Sequence, residues 1–232
     1  AAPQAAEAAA QAAAKAAAHA ADKAEHAARM AQEHQHDSAA ASPATMPAPT
    51  QTVAAEEIVY ATLDGKPVKG YLTRPVLSAP ATQPLPALVV IQEWWGLNDN
   101  VRTMARRFAG EGYLVLAVDL YEGTVATTPE AAMAAMQSAM AKPARLTDNL
   151  RQAQGYLASQ WGATKIGVVG WCFGGGWALE TALGIPDGID AAVLYYGRTQ
   201  SDPKALAPLQ APLLGLFGGK DEGIPVDGVR QM

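Results

Sequence analysis

The first strongly patterned part of the chain is a pair of short stretches rich in β-branched and aromatic residues. These stretches are residues 58–63 and 68–72, and Asp64-Gly65-Lys66 lies between them. An Asp-Gly pair between two such stretches is a strong local signal for a tight hairpin turn. The pattern therefore predicts two antiparallel strands at the edge of a sheet.

Further along, short and continuously apolar runs alternate with segments of helical character. Continuous apolar runs are typical of strands that are covered on both faces, as in parallel sheets. The predicted order is β-β-β-α-β-α-β-α-β-β, which indicates an α/β fold with a mostly parallel central sheet and helices on both faces. After the hairpin, the predicted strands are 88–91, 114–118, 165–169, 191–196 and 213–217, and the clearest helices are 101–110 and 129–160.

The first 54 residues have a different composition from the rest of the chain. They are dominated by alanine, and a tract rich in Pro, Ser and Thr follows at 42–52. Alanine favours helix but gives almost no large side chain to bury, so we expect a frayed helix from Ala5 to about Gln35 and then a flexible linker. The remaining residues, 55–232, are numerous enough for one domain with a substantial core.

Charge and hydropathy limit the partners of this chain. The net charge is −5 and the sequence has no basic patch, which argues against nucleic acid as a partner. No run of about 18 uncharged apolar residues occurs, so we expect no membrane span. The chain opens on an Ala-Pro tract that looks like the end left after signal-peptide removal, which predicts a periplasmic or secreted protein, with the cytoplasm as the alternative. A single cysteine leaves the compartment open.

The residues Gly-Trp-Cys-Phe-Gly at 170–174 have the form of a nucleophile elbow, a sharp strand-to-helix turn that presents a reactive side chain. Side chains at Gly170 and Gly174 would collide with the neighbouring strand and helix. The positive end of the helix dipole stabilises the thiolate form of a cysteine at a helix N-terminus, and the thiolate is the attacking species. The motif therefore predicts Cys172 as a nucleophile. The alternative is a buried structural cysteine.

Five sequence blocks carry a resemblance to a known family. From about Glu56 to its C-terminus, the chain resembles the dienelactone hydrolase family of α/β-hydrolases. The resemblance implies the α/β-hydrolase fold and the hydrolysis of a carboxylic ester or lactone through an acyl group on the cysteine. The blocks are Gln-Glu-Trp-Trp-Gly-Leu-Asn at 92–98, Ala-Val-Asp-Leu-Tyr at 117–121, the elbow at 170–175, Tyr-Tyr-Gly at 195–197, and Gly-Gly-Lys-Asp at 218–221 with Ile-Pro at 224–225.

The resemblance also implies roles for three side chains. Cys172 is the nucleophile of a Cys-His-Asp triad, Asp221 is the carboxylate that orients the histidine, and Glu93 contacts the thiol and helps to remove its proton. The alternatives are a solvated loop carboxylate for Glu93 and a turn aspartate that caps a helix for Asp221. Asp227 is a weaker candidate for the triad, because it lies past Pro225 within the next predicted helix.

The remaining site residues act through their backbone or their apolar surface. The resemblance implies that the backbone amides of Trp94 and Phe173 form the oxyanion hole. Trp95, Trp171 and Tyr121 are predicted to line an apolar substrate pocket, although large aromatic residues beside an elbow are as often part of the core.

The triad histidine is the main departure from the family pattern. In relatives it follows the aspartate, whereas all four histidines of this chain, His19, His26, His34 and His36, precede the predicted domain. We therefore expect the sequence to be incomplete at its C-terminus, without the final strand and helix, and to be a poor catalyst as it stands. The alternative is a non-catalytic binding module with the α/β-hydrolase fold.

No cofactor or metal is predicted. The glycines at 174–176 lack the spacing of a dinucleotide-binding motif, and two of the histidines on a flexible segment do not make a closed metal site. The expected partner is a small-molecule ester or lactone substrate. The sequence leaves the oligomeric state open.

Overall fold

The structure is a computed structural model that describes residues 32, 34–40, 47–79 and 82–232. The chain divides into two units, 1–38 and 39–232. In the first unit, His34 Nδ1 and Asp37 Oδ2 form a hydrogen bond of 2.7 Å. Most of the helix predicted from Ala5 to Gln35 lies outside the described residues, and the division of the chain into an arm, 1–54, and a domain, 55–232, stays a prediction.

Within the described residues, seven strands form one sheet in the order β1-β2-β4-β3-β5-β6-β7. The hairpin strands β1 and β2 are antiparallel, β2 is antiparallel to β4, and all other neighbours are parallel. The predicted mostly parallel sheet is therefore confirmed. The strands are β1 (Val53–Leu63), β2 (Lys66–Pro75), β3 (Ala87–Ile91), β4 (Leu114–Ala117), β5 (Ile166–Trp171), β6 (Ala191–Tyr195) and β7 (Leu213–Leu216).

The helices depart from the predicted order at two places. One is a four-residue helix, Pro203–Leu206, between β6 and β7, where no helix was predicted. The prediction of a single helix over 129–160 was wrong, because this range contains two helices that are separated before Pro143. Proline has no N–H to donate and disfavours helical backbone in the residue before it, and Lys142 accordingly has a φ of −129° and a ψ of 61°. The helices are α1 (Asp99–Gly110), α2 (Pro129–Met140), α3 (Pro143–Trp161), α4 (Phe173–Gly184), α5 (Pro203–Leu206) and α6 (Val226–Gln231).

The central strands are buried on both faces. In β4, Leu114 and Leu116 belong to the apolar cluster that includes α3 and α4, whereas Val115 and Ala117 belong to the cluster that includes α1. All four side chains are buried, which explains why β4 reads as a continuous apolar run rather than an alternating one. The expectation of helices on both faces of the sheet is confirmed. No helix of the described ranges is long and apolar enough to cross a membrane.

A buried polar network joins the hairpin, α3 and the loop after β4. The Tyr60 hydroxyl donates to Asn149 Oδ1 over 2.6 Å, and Asn149 Nδ2 donates to the Asp119 carbonyl oxygen over 3.0 Å. Asn149 is 1% exposed, so water cannot replace these bonds. Burial raises the pKa of Tyr60 well above its usual range, and the phenol therefore stays protonated. The network fixes the position of the segment that follows β4.

We predict that Asn149→Ala lowers the free energy of unfolding by about 2–4 kcal/mol, because it removes two hydrogen bonds and leaves the buried Tyr60 hydroxyl without its acceptor. Urea unfolding measures this change. Gln160→Ala, at an exposed position of the same helix, is the matched control and should change the value by less than about 0.5 kcal/mol. Equal effects of the two substitutions would contradict the role of the network.

Candidate active site

The candidate site lies at the carboxyl edge of the sheet. Strands β3 to β7 are parallel, so the segments that follow them emerge at the same edge. Cys172 and Tyr196 directly follow β5 and β6, Glu93 comes two residues after β3, and Tyr121 and Asp221 lie in the loops after β4 and β7. The topology therefore brings four residues singled out from the sequence, together with Tyr196, to one edge of the sheet.

Cys172 sits at the tip of a strand-to-helix turn, as the motif predicted. Its φ of 54° and ψ of −117° are conformations that non-glycine residues rarely adopt, and α4 begins at the next residue. A side chain at Gly170 would collide with the carbonyl oxygen of Gly174, and one at Gly174 would collide with the carbonyl oxygens of Ile91 and Gln92. The glycines thus allow the turn to pack directly against itself and against the end of β3.

The backbone of the turn is also tied to β6 and to its own helix. The Cys172 amide donates to the Tyr195 carbonyl oxygen over 3.0 Å, and the Cys172 carbonyl oxygen accepts from the Gly175 amide over 3.0 Å. These bonds hold the strained residue on both sides. The thiol is neither fully buried nor fully exposed.

A hydrogen bond connects the two loops that flank the turn. The Tyr196 hydroxyl donates to Glu93 Oε1 over 2.8 Å. Because β3 and β6 are the two neighbours of β5, this bond joins the segments on either side of the strand that carries Cys172. Tyr196 has a φ of 38°, and its amide donates to the Leu216 carbonyl oxygen over 2.7 Å.

Tyr196 is the site residue that the sequence analysis missed. It belongs to the Tyr-Tyr-Gly block that carries part of the family resemblance, but the block alone predicts no role for it. Its place directly after a strand that neighbours the elbow strand was the available signal. The partner of its hydroxyl depends on a bond to a residue 103 positions away, and no local pattern reveals such a bond.

The two amides predicted for the oxyanion hole belong to segments at this edge. Phe173 is the first residue of α4, and the first amides of a helix have no acceptor within it. Trp94 lies in the turn after β3, where the Gly96 amide donates to the Glu93 carbonyl oxygen over 3.4 Å. The oxyanion role of these two amides stays a prediction.

Asp221 forms the turn that leads toward α6. Its Oδ1 accepts from the amides of Gly223 and Ile224 over 2.9 and 2.8 Å. The side chain therefore stabilises the turn itself, whereas α6 begins after Pro225 and receives no side-chain capping bond. The triad role of Asp221 stays a prediction. Asp227 is exposed, lies within α6 and pairs with Arg230 over 3.3 Å.

The three aromatic residues predicted for the substrate pocket lie in different surroundings. Trp95 is 5% exposed and packs edge-on against Trp94 in the core, with ring centroids 5.1 Å apart. Trp171 stacks on Phe108 and Tyr195. Tyr121 lines a cavity of about 130 Å³ between the loop after β4 and helices α2 and α3. The other residues that line the cavity are Leu120, Glu122, Thr124, Ala135, Ser138, Ala139, Lys142, Arg145 and Leu146.

The loop that carries Tyr121 is held by a buried carboxylate. Asp119 accepts from the amides of Tyr121, over 2.8 Å, and Gly123. Burial raises the pKa of the Asp119 carboxyl above its usual range. Burial raises the pKa of Tyr121, and the negative charge of a Cys172 thiolate raises it to a smaller extent. The phenol therefore stays protonated.

All four histidines precede β1 in the sequence. His34 pairs with Asp37 in the first unit, and His19 and His26 lie outside the described residues. Among the residues that the structure describes, no three His, Cys, Asp or Glu side chains come together as a set of metal ligands.

A mostly parallel sheet that presents a strained residue in a strand-to-helix turn at its carboxyl edge defines the α/β-hydrolase class. Residues 70–232 match the model of the dienelactone hydrolase family, and this chain belongs to that family. The resemblance inferred from the five sequence blocks is therefore confirmed, and the protein belongs to a family of hydrolases.

Individual relatives agree with this assignment. The chain is 31% identical over 209 residues to a Saccharolobus solfataricus protein named "Putative carboxymethylenebutenolidase", with 74% of this chain and 77% of the relative covered. It is 31% identical to "Protein usf" of Aquifex pyrophilus, with 72% of each covered. The crystal structure of a "Putative Dienelactone Hydrolase" from Klebsiella pneumoniae superposes with a TM-score of 0.65 at 29% identity, and covers 78% of this chain and 79% of its own.

Asp119 leads to a pH-dependent prediction. Because its pKa is raised in the folded state, the folded protein binds this proton more tightly than the unfolded chain does. The stability that Asp119 contributes is therefore fully present at low pH and is lost as the pH rises from about 4 through the raised pKa. We expect the difference in unfolding free energy between wild type and Asp119→Asn to decrease over this range and then level off.

Urea unfolding at a series of pH values measures this difference. Asp190→Asn is the control, because its stability difference should change with pH in the opposite direction. A hydrogen bond from Lys165 lowers the pKa of Asp190, so its contribution is present at neutral pH and falls as the pH drops below about 4. A difference for Asp119→Asn that is flat with pH, or that increases with pH, would contradict the burial of an ionisable carboxyl at this position.

Proposed function

We propose that this protein hydrolyses a carboxylic ester or lactone through a thioester formed on Cys172. One observation carries the proposal: the backbone of Cys172 has a positive φ of 54° at the tip of the turn between β5 and α4. Strained backbone persists where the surrounding structure enforces it, and such residues cluster at active sites. Membership of a hydrolase family supports the same conclusion.

The proposed reaction has two halves. The Cys172 sulfur, as thiolate, attacks the carbonyl carbon of the substrate and forms a tetrahedral oxyanion. Collapse of this intermediate breaks the bond from carbon to the leaving oxygen, which takes up a proton and departs as the alcohol. Water then attacks the thioester, and the carboxylic acid and the free thiol are the products.

Two backbone amides and two acidic side chains assist these steps. The amides of Trp94 and Phe173 donate to the oxyanion, and preorganised donors of this kind are among the largest contributions to catalysis. Glu93 accepts the proton of the thiol during acylation, and Tyr196 holds its carboxylate in place until then. Asp221 has the role that the family resemblance implies, which is to orient a histidine that activates the water.

The names of the relatives support the proposed substrate class. The name carboxymethylenebutenolidase, carried by one of the relatives, points to lactones of the butenolide type as test substrates. The cavity of about 130 Å³ beside Tyr121 does not include Cys172 in its lining, so its volume does not set the size of the acyl group. We propose a small ester or lactone as the substrate.

The test of the nucleophile uses p-nitrophenyl acetate, rapid quenching and mass spectrometry. We expect wild type to release p-nitrophenol in a burst and to carry one acetyl group on the peptide that contains Cys172. Cys172→Ala should show neither, and Cys172→Ser, which preserves the shape, should be slower than wild type by about 100-fold or more, because the hydroxyl is a weaker nucleophile. Hydrolysis that survives in Cys172→Ala would end the proposal and would favour the interpretation as a binding module.

The role of Glu93 is tested by the rate of the burst. We expect Glu93→Gln to slow acylation by about 100-fold or more, because the amide cannot accept the thiol proton. Glu57→Gln, which replaces an exposed carboxylate in a 2.8 Å ion pair with Arg102, is the matched control and should leave the burst unchanged. An unaltered burst in Glu93→Gln would remove Glu93 from the mechanism.

A further inference from the structure

The phenol of Tyr121 has an unsatisfied hydroxyl. Tyr121 is 7% exposed, and its hydroxyl is closed to solvent and has no hydrogen-bond partner among the described residues. Burying a polar group without a partner costs free energy, and phenylalanine would fill the same space without that cost. The Tyr60 hydroxyl is equally buried but has Asn149 as its acceptor. Structural packing therefore explains the hydroxyl of Tyr60 but not that of Tyr121.

The position of Tyr121 connects it to the thiol. Its ring centroid lies 5.4 Å from that of Phe173, the residue that directly follows Cys172. Burial is the main cause of the raised pKa of the phenol, and the negative charge of the Cys172 thiolate raises this pKa further. The hydroxyl is thus a protonated donor next to the turn that carries the nucleophile.

The loop holds the phenol firmly in this position. The Asp119 carboxylate accepts from the Tyr121 amide over 2.8 Å, and the Asp119 carbonyl oxygen accepts from Asn149 Nδ2 over 3.0 Å. The backbone of Tyr121 is therefore anchored to α3 through a buried network. An acceptor for its hydroxyl has to come to it, because the loop is not free to carry the hydroxyl elsewhere.

The acceptor that fits is the sulfur of Cys172 after it has lost its proton. A neutral thiol is a weak acceptor, whereas an ionised group makes a short and strong hydrogen bond. Rotation about the Cα–Cβ bond carries the sulfur among three staggered positions. We infer that one of these positions brings the thiolate of Cys172 to the Tyr121 hydroxyl, so that Tyr121 is a catalytic residue that stabilises the attacking form of the nucleophile.

This inference rests on the proposed function only for its catalytic meaning, since the contact itself can be tested without any substrate. Cys172 is the only cysteine in the sequence, so alkylation with iodoacetamide followed by intact mass reports one thiol. The quantity measured is the pH at which the alkylation rate reaches half its plateau. Hydrolysis by Cys172→Ala tests the function, and this half-maximal pH tests the contact.

For Tyr121→Phe we expect the half-maximal pH to rise by about one unit, which lowers the alkylation rate about tenfold at pH values below the transition. The melting temperature should not fall, because the lost hydroxyl has no partner. Tyr60→Phe is the matched control. It should lower the melting temperature, because its hydroxyl has an acceptor, and leave the half-maximal pH of alkylation unchanged.

Other titratable groups lie at this edge of the sheet and provide a comparison in the same assay. They are Glu93 after β3, Asp119 after β4, Tyr196 after β6 and Asp221 after β7. Glu93→Gln removes a negative charge and should lower the half-maximal pH, opposite in sign to Tyr121→Phe. A shift that depends only on loss of packing would not change sign between these two variants.

An unchanged half-maximal pH in folded Tyr121→Phe would overturn the inference and would leave an ordered water as the partner of the hydroxyl. If Tyr121→Phe does not fold, site-specific incorporation of 3-fluorotyrosine at position 121 makes the same test with little change of shape. The more acidic phenol donates more strongly, so the half-maximal pH should fall. No shift with the fluorinated protein would also overturn the inference.

Discussion

The site depends on one strained residue that its surroundings hold in place. Cys172 adopts a positive φ because its amide is bound to the end of β6, and its helix begins at the next residue. The turn fits because Gly170 and Gly174 permit contacts between backbones that any side chain would block. The parallel sheet fixes where this turn stands relative to the loops after β3, β4 and β6. The geometry of Cys172 is therefore a property of the fold as a whole.

The electrostatic surroundings of the thiol come from different strands. Glu93 contributes negative charge, which disfavours the thiolate, and the hydrogen bond from Tyr196 stabilises this charged form of its carboxylate. The start of α4 contributes the positive end of a helix dipole, which favours the thiolate. Tyr121 adds a neutral donor in our inference. The reactivity of Cys172 is set by the balance of these groups.

Much of the fold could be predicted from local pattern. The apolar runs located every strand of the parallel sheet. Burial on both faces explains this signal at strands such as β4, whereas β7 forms an apolar run although it is mostly exposed. The prediction of one helix over 129–160 was wrong because the apolar pattern continues across Pro143, although the proline interrupts the helix at Lys142. In the site, Cys172 and Glu93 could be proposed from motifs. The bond from Tyr196 and the unsatisfied hydroxyl of Tyr121 depend on contacts between distant segments, which no short pattern encodes. The exported location stays a prediction.

The central claim is that the turn aims the sulfur of Cys172 at a carbonyl held between two backbone amides. The most direct test is a crystal structure of the acyl-enzyme trapped with a slowly hydrolysed ester. Our account predicts a thioester on Cys172 with its carbonyl oxygen about 2.7–3.1 Å from the amides of Trp94 and Phe173. An acyl group on another residue, or a carbonyl oxygen that points away from both amides, would contradict it.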